Sequence, residues 1–324
     1  MNENHIKTLR IENFKSIKEM DLECSRINVF VGKPNVGKSN VLEALGMYGL
    51  DKSNPQKFIR FEQVKNFFPF NDTKVDINVN SNLGNIEISF DREKSQYHFK
   101  RYSDDLEGSL IWENDGKVSS WGRNMSIKKV KKYSFKPYQE AHNSQELYLM
   151  PPHGNNLFTI LETNSELREE VASAFSSYDL EFAMDTERNK LLIQRRINGL
   201  SYFIPFSLVA DTLQRIIFHY AAIYSNENSV ILFEEPESHS YPPYIADLSY
   251  KIIDSATNQF FITTHSPYLL NTLMENTPRE DLSIFVATYK NYETHVQKLT
   301  DQDFSDIFNN GVDLFFNLRW FDDE

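Results

Sequence analysis

Ile27-Asn28-Val29-Phe30-Val31-Gly32-Lys33-Pro34-Asn35-Val36-Gly37-Lys38-Ser39-Asn40 is the stretch that decides the fold. The apolar run from Ile27 to Val31 predicts a buried strand. It leads directly into two glycines, a lysine and a serine at the full Walker A spacing. The turn from Gly32 through Lys33, Pro34, Asn35 and Val36 to Gly37 can wrap phosphate oxygens with its backbone N–H groups. Lys38 then reaches the outer phosphates, and the Ser39 hydroxyl coordinates Mg²⁺. Beyond it, Val41, Leu42, Leu45 and Met47 recur at helical spacing, which predicts a helix from Asn40 to Leu50 with its positive end facing those phosphates.

Such a site needs a carboxylate for the metal and a base for the attacking water. Val230-Ile231-Leu232-Phe233 reads as a central parallel strand, and it ends in Glu234-Glu235-Pro236-Glu237. Acidic groups at a strand's C-terminal end sit where open α/β sheets bind ligands. Glu234 is therefore expected to hold Mg²⁺ through water and Glu235 to act as general base, with Glu237 solvated at a helix start. A further apolar strand, Gln259 to Thr264, delivers His265 ahead of Ser266 and Pro267. At a strand end beside a phosphate loop, that histidine can sense or polarise the terminal phosphate.

Composition sets the bounds around these motifs. A hydrophobic content of 40% with 25 Phe in 324 residues is enough for a sizeable core. The formal net charge of -12 argues against a generic grip on a phosphate backbone, so DNA is not a favoured partner. Lys128, Lys129, Lys131 and Lys132 form the best local basic patch and are expected to be a solvated face. The single Cys24 rules out an internal disulfide. With strand-like residues from Ile6 and no apolar run of membrane-spanning length, no membrane association is expected and the location is read as cytoplasmic. Between the motifs, alternation from Lys74 to Ser120, with a turn at Asp115-Gly116, predicts an antiparallel β subdomain. From about Asn156 to Tyr224 helical spacing dominates, as in Leu208, Leu213, Ile216, Ile217 and Tyr220.

With the three motifs in this order, the chain resembles the ABC ATPase superfamily, in its branch of RecF, SMC and overcoming-lysogenisation-defect (OLD) proteins. The opening from Ile6 to Ile17 looks like that branch's first strand, and Gly37-Lys38-Ser39-Asn40 matches its Walker A ending, which adds Asn40 to the nucleotide-binding residues. Similarity extends to the stretch from Glu235 to His239, to the stretch from Pro151 to Leu157, and to the tail from Gly311 to Asn317. The resemblance implies an α/β P-loop ATPase head with a central, mostly parallel sheet, an antiparallel β subdomain and a helical lobe. One domain over 1–324 is expected, with a Walker A lobe at 1–150, a helical signature lobe at 151–225, and the Walker B and switch-histidine half at 226–324.

In that family the helical lobe carries a glycine-rich signature that closes over ATP held by a second protomer. Here Pro205 to Arg215 stands in its place, with Ala210 and Thr212 where glycines are expected, and either Ser207 or Thr212 supplies the hydroxyl. The resemblance thus implies ATP and Mg²⁺ as cofactors, slow hydrolysis, and a homodimer or higher even-numbered homo-oligomer. No TOPRIM nuclease domain is expected, and Asp301-Gln302-Asp303 is expected to be a solvated turn. The leading expectation is an ATPase that serves as sensor or scaffold for a separate effector protein, a nuclease being one candidate, as in bacterial anti-phage systems. The alternatives are a RecF-like repair ATPase that binds DNA directly and a nucleotide-gated assembly protein with little turnover.

Overall fold

The computed structural model describes residues 3–50, 55–103, 106–122, 129–138, 144–310 and 314–318. Lys128 of the basic run and Gly311, Val312 and Asp313 of the tail lie outside the described residues. Two compact units are present. The first holds Met1–Lys132, Asn228–Glu235 and Thr257–Glu324, and the second holds Tyr133–Glu227 and Pro236–Ala256.

The first unit opens with a hairpin of β1 (Thr8–Phe14) and β2 (Ile17–Glu23). Next come β3 (Ile27–Gly32), buried at every position, and α1 (Lys38–Gly46). The helix ends earlier than its periodicity predicts, and a single 3-10 turn covers Met47–Gly49. Five alternating strands follow, β4 (Ile77–Ser81), β5 (Gly84–Asp91), β6 (Gln96–Ser103), β7 (Leu106–Trp112) and β8 (Val118–Trp121). They extend the first hairpin into an antiparallel sheet ordered β2-β1-β4-β5-β6-β7-β8, with Gly116 at positive φ in the last turn. This is the expected β subdomain, enlarged by the N-terminal hairpin.

The next strand, β9 (Val130–Tyr133), passes from the first unit into the second. The second unit contains α2 (Leu157–Thr163), α3 (Ser165–Ser176), β10 (Glu181–Asp185), β11 (Lys190–Ile197), β12 (Leu200–Pro205) and α4 (Asp211–Tyr224). Helical spacing therefore holds for α2, α3 and α4 but not for 181–205, which forms a three-stranded antiparallel sheet. Two features favour strand there. Leu191 and Ile193 alternate inward, and Asn198-Gly199, both at positive φ, is a two-residue hairpin turn.

The chain returns to the first unit as β13 (Val230–Glu234), crosses the second unit as α5 (Pro242–Asp254), and returns again as β14 (Gln259–Thr263). It ends with α6 (Pro267–Asn276), β15 (Leu282–Lys290), β16 (Glu293–Lys298) and α7 (Asp301–Asn310). The central sheet is ordered β16-β15-β3-β14-β13-β9, and β15, β3, β14 and β13 run parallel. Asp301-Gln302-Asp303 is not a turn but the start of α7, where Asp303 accepts from the Thr300 N–H at 2.8 Å. Glu237 is buried rather than solvated, and it lies ahead of the helix, which begins only at Pro242.

α1 packs on β3, β13 and β14 on one side and on β1 on the other. Val41, Leu42 and Leu45 share one core with Ile11, Phe14 and Val79 of the antiparallel sheet and with Phe30, Leu232 and Phe261 of the parallel one. Phe30 also stacks on Phe285 at 4.9 Å.

In the second unit His219 of α4 is buried beside Phe218, and burial pushes its pKa down to about 3. The folded chain thus holds the neutral ring while the unfolded chain takes up a proton near the ordinary value, so this stability is present above about pH 6.5 and is lost as pH falls. Urea unfolding at pH 7 and pH 5 is expected to cost the wild type about 2 kcal/mol more than His219→Gln over that interval. An equal pH dependence in both proteins would contradict a buried neutral ring.

Candidate functional site

The loop after β3 owes its shape to two glycines. Gly32 has φ of 151° and Gly37 of 98°. A Cβ at Gly32 would lie 2.3 Å from the Ala287 carbonyl oxygen, and one at Gly37 would lie 2.1 Å from Thr294 Oγ1. No side chain is small enough for either place. Gly37 then starts α1 from a left-handed conformation with no side-chain cap, so the helix's positive end faces the loop. Lys38 is buried, and its Nζ donates to the carbonyls of Gly32 at 2.9 Å and Lys33 at 2.8 Å. The ammonium is thereby seated across the loop.

A directed chain of hydrogen bonds supports this loop from behind. Asn40 Nδ2 donates to Ser16 Oγ at 2.8 Å, and Ser16 Oγ lies 2.6 Å from Thr294 Oγ1. Thr294 Oγ1 in turn donates to the Val36 carbonyl at 2.8 Å, which leaves the Ser16 hydroxyl as donor to Thr294. Asn40 thus supports the loop through Ser16. Thr294 was not legible in the sequence, because it arrives from β16 at the far end of the chain.

Glu234 ends β13 and is hydrogen-bonded to Ser39, so the two expected metal ligands meet. Two cations also hold the carboxylate, with Arg60 Nη2 at 3.3 Å from Oε1 and Lys132 Nζ at 3.4 Å from Oε2. Burial pushes the carboxyl up, but Lys132, Ser39 and Arg60 outweigh it and hold the group below its ordinary value. Behind them the fully buried Glu43 of α1 pairs with Lys15 and accepts from Arg60 Nε at 2.7 Å. Lys132 Nζ also donates to the Phe58 carbonyl at 3.0 Å. The basic run is therefore no solvated face, since Lys131 and Lys132 are buried and Lys129 alone is exposed among its described members. Glu43, in the middle of an apolar helix run, is the one visible hint of this network in the sequence.

Glu235 and His265 lie side by side, with His265 Nε2 at 3.4 Å from Glu235 Oε1. Glu235 takes a left-handed φ of 45° while its N–H bonds the Thr263 carbonyl at 3.0 Å, which turns its side chain away from the strand line. Burial and the charge of Lys38 hold His265 below its ordinary value against the pull of Glu235, so the ring is neutral near pH 7. Ser207 and Thr212 belong to the second unit. There Ser207 is exposed in a 3-10 turn, and Thr212 Oγ1 donates to the His239 carbonyl at 2.8 Å.

The Ser39 hydroxyl and Glu234 carboxylate are hard oxygen donors in mutual contact, which suits Mg²⁺. Among the described residues no cluster of three or more His, Cys, Asp or Glu forms a metal cage. No helix among the described residues is long and apolar enough to cross a membrane.

Residues 27–271 match a family model described as "AAA domain, putative AbiEii toxin, Type IV TA system", a span that takes in the loop, Glu234, Glu235 and His265. A Helicobacter pylori protein named ATP/GTP phosphatase is 22% identical over 326 aligned residues, which cover 83% of this chain and 87% of that protein. The DNA replication and repair protein RecF of Clostridium kluyveri is 32% identical over 98 residues, covering 24% of this chain and 27% of RecF. In fold, the chain is similar to the Smc head domain with an extended coiled coil bound to the C-terminal domain of ScpA from Pyrococcus furiosus. That likeness has a TM-score of 0.55 at 11% identity and covers 94% of this chain and 99% of the other.

Thr294→Val removes the last donor of the supporting chain, leaving the Val36 carbonyl without this donor and the Ser16 hydroxyl without its acceptor. Loosening of the loop by about 1–2 kcal/mol is expected. Hydrogen exchange should read this as faster exchange at the amides of Val36 to Lys38, and unchanged exchange there would remove Thr294 from the support.

Proposed function

The chain belongs to this AAA-domain family, and from that premise we propose that it binds ATP with Mg²⁺ at the loop after β3 and hydrolyses it. The contact between Ser39 and Glu234 beneath the seated Lys38 carries this reading. It unites the phosphate end of one motif with the carboxylate of another. Lys38 and the loop amides would bind the phosphates, and Ser39 and Glu234 would hold Mg²⁺, which neutralises phosphate charge when bound. Glu235, partly exposed at the strand end, would orient water and take its proton. His265, neutral near pH 7, would donate a hydrogen bond to the terminal phosphate. The Helicobacter pylori relative's name supports nucleotide hydrolysis and leaves GTP as a competing substrate to be measured.

We further propose that ATP bridges two copies, with Ser207 or Thr212 of one facing the nucleotide of the other, in a homodimer or larger even-numbered assembly. Turnover is slow on this reading, because Ala210 and Thr212 limit close backbone approach where glycines would allow it. ATP hydrolysis alone alters no target, so the bound state would serve a separate effector protein, as in anti-phage systems of OLD type. The short RecF match keeps direct DNA binding as a second reading. Burial of Lys131 and Lys132 removes two of the four lysines of the patch that favoured it.

Lys38→Ala is expected to abolish ATP binding, because the loop loses its main charge contact. Calorimetric titration is the measurement, and an unchanged affinity would sink the nucleotide site. Glu235→Gln keeps the shape of the base but cannot accept a proton, so it should bind ATP, stop turnover and accumulate an ATP-dependent dimer. Full phosphate release in that variant would move the base elsewhere. Light scattering with the same mass with and without ATP would count against the shared site.

A further inference from the structure

We infer that Lys132 is a built-in counter-cation for Glu234, which lets this chain dock a nucleoside triphosphate without divalent metal and reserves the metal for turnover. The inference rests on the nucleotide reading above. An isolated carboxylate at this place repels the incoming phosphates, and ordinarily the metal offsets that repulsion. Here each oxygen of Glu234 already has its own cation, Arg60 on Oε1 and Lys132 on Oε2.

The two cations differ in how firmly they are held. Arg60 has a side chain 68% exposed and tethered through its Nε to Glu43. Lys132 is only 6% exposed, is fixed on strand β9 of the same sheet as β13, and is anchored a second time on the Phe58 carbonyl at 3.0 Å. This buried ammonium is held by both partners in the empty site, so its compensation of Glu234 is present before any ligand arrives. Around the loop, Lys15 and Arg60 pair with Glu43, Arg60 and Lys132 pair with Glu234, Lys38 is seated on the loop carbonyls, and Glu235 lies beside His265, four cations against three carboxylates. The balance of fixed charge therefore favours an anion in the absence of metal.

The same contact has a cost on the other side of the cycle. Lys132 must release Oε2 before Glu234 can serve a cation fully, so the metal concentration needed for turnover is raised. Removal of the ammonium should therefore move two measurements in opposite directions. Metal-free binding weakens, and the Mg²⁺ midpoint for turnover falls. A merely structural role for Lys132 would weaken binding in both conditions alike.

The test titrates the full chain with N-methylanthraniloyl-ATP in EDTA and in Mg²⁺. Wild-type Kd in EDTA is expected to stay within about threefold of its Mg²⁺ value, because Glu234 is already compensated. Lys132→Met should bind about tenfold more weakly in EDTA and nearly as well as wild type in Mg²⁺, where the metal substitutes for the lost charge. Lys132→Arg, which keeps the charge, should retain metal-free binding. Wild-type binding that collapses in EDTA would overturn the inference, as would an equal loss for Lys132→Met in both conditions. If Lys132→Met does not fold, the wild-type comparison decides alone. The loss of binding expected for Lys38→Ala separates the two readings: a Lys38→Ala chain that still binds would fail the nucleotide site, whereas a wild type that binds only with metal fails this inference and leaves the site standing.

Discussion

The packing of α1 between two sheets is the constraint on which the site depends. One side of the helix lies on β3, β13 and β14 and the other on β1, so neither sheet can shift without moving it. Its N-terminus carries Lys38 and Ser39, and its buried middle carries Glu43. Because β3 enters the loop with every residue buried, strand, turn and helix are held at both ends, and the two positive-φ glycines take the bend between. Where the phosphates would lie is thus set by core packing, not by the loop's own preferences.

A charge within that packing has to be matched. Glu43 is fully buried, and a lone carboxylate there would be untenable, so Lys15 and Arg60 are drawn to it. Arg60 then reaches on to Glu234, and Lys132 closes on the other oxygen of the same carboxylate. The buried charge of the helix and the Glu234 carboxylate are in this way parts of one network. This accounts for a Glu234 carboxyl held below its ordinary value in spite of strong desolvation.

The second unit follows a different logic. Its helices bury an ordinary aromatic core, with Phe175, Phe206 and Phe218 at its centre, while β12 is exposed at every position. Pairing on one side only, with β11, leaves β12 as an edge strand. Ser207 follows β12 closely in a short 3-10 turn, exposed beside the buried Phe206. Elements with few buried contacts are those most free to respond to a ligand or a second chain.

By itself, the sequence determined the parts whose chemistry is contiguous. β3 with its loop and α1, β13 with Glu234 and Glu235, and β14 with His265 are each a buried strand followed at once by its polar groups, and local pattern is enough to read such units. Alternation likewise disclosed the antiparallel strands from β4 to β8. The β10 to β12 meander was legible in principle through Asn198-Gly199, yet the apolar spacing around α4 masked it. Tertiary structure alone decided the rest. Thr294 meets Val36 across 258 residues of chain, Lys132 turns inward from what reads as a solvated basic run, and Arg60 comes from a stretch with no periodicity. Long-range partners of this kind are chosen by which charges and hydroxyls the closed core leaves facing one another, and no local pattern encodes that choice.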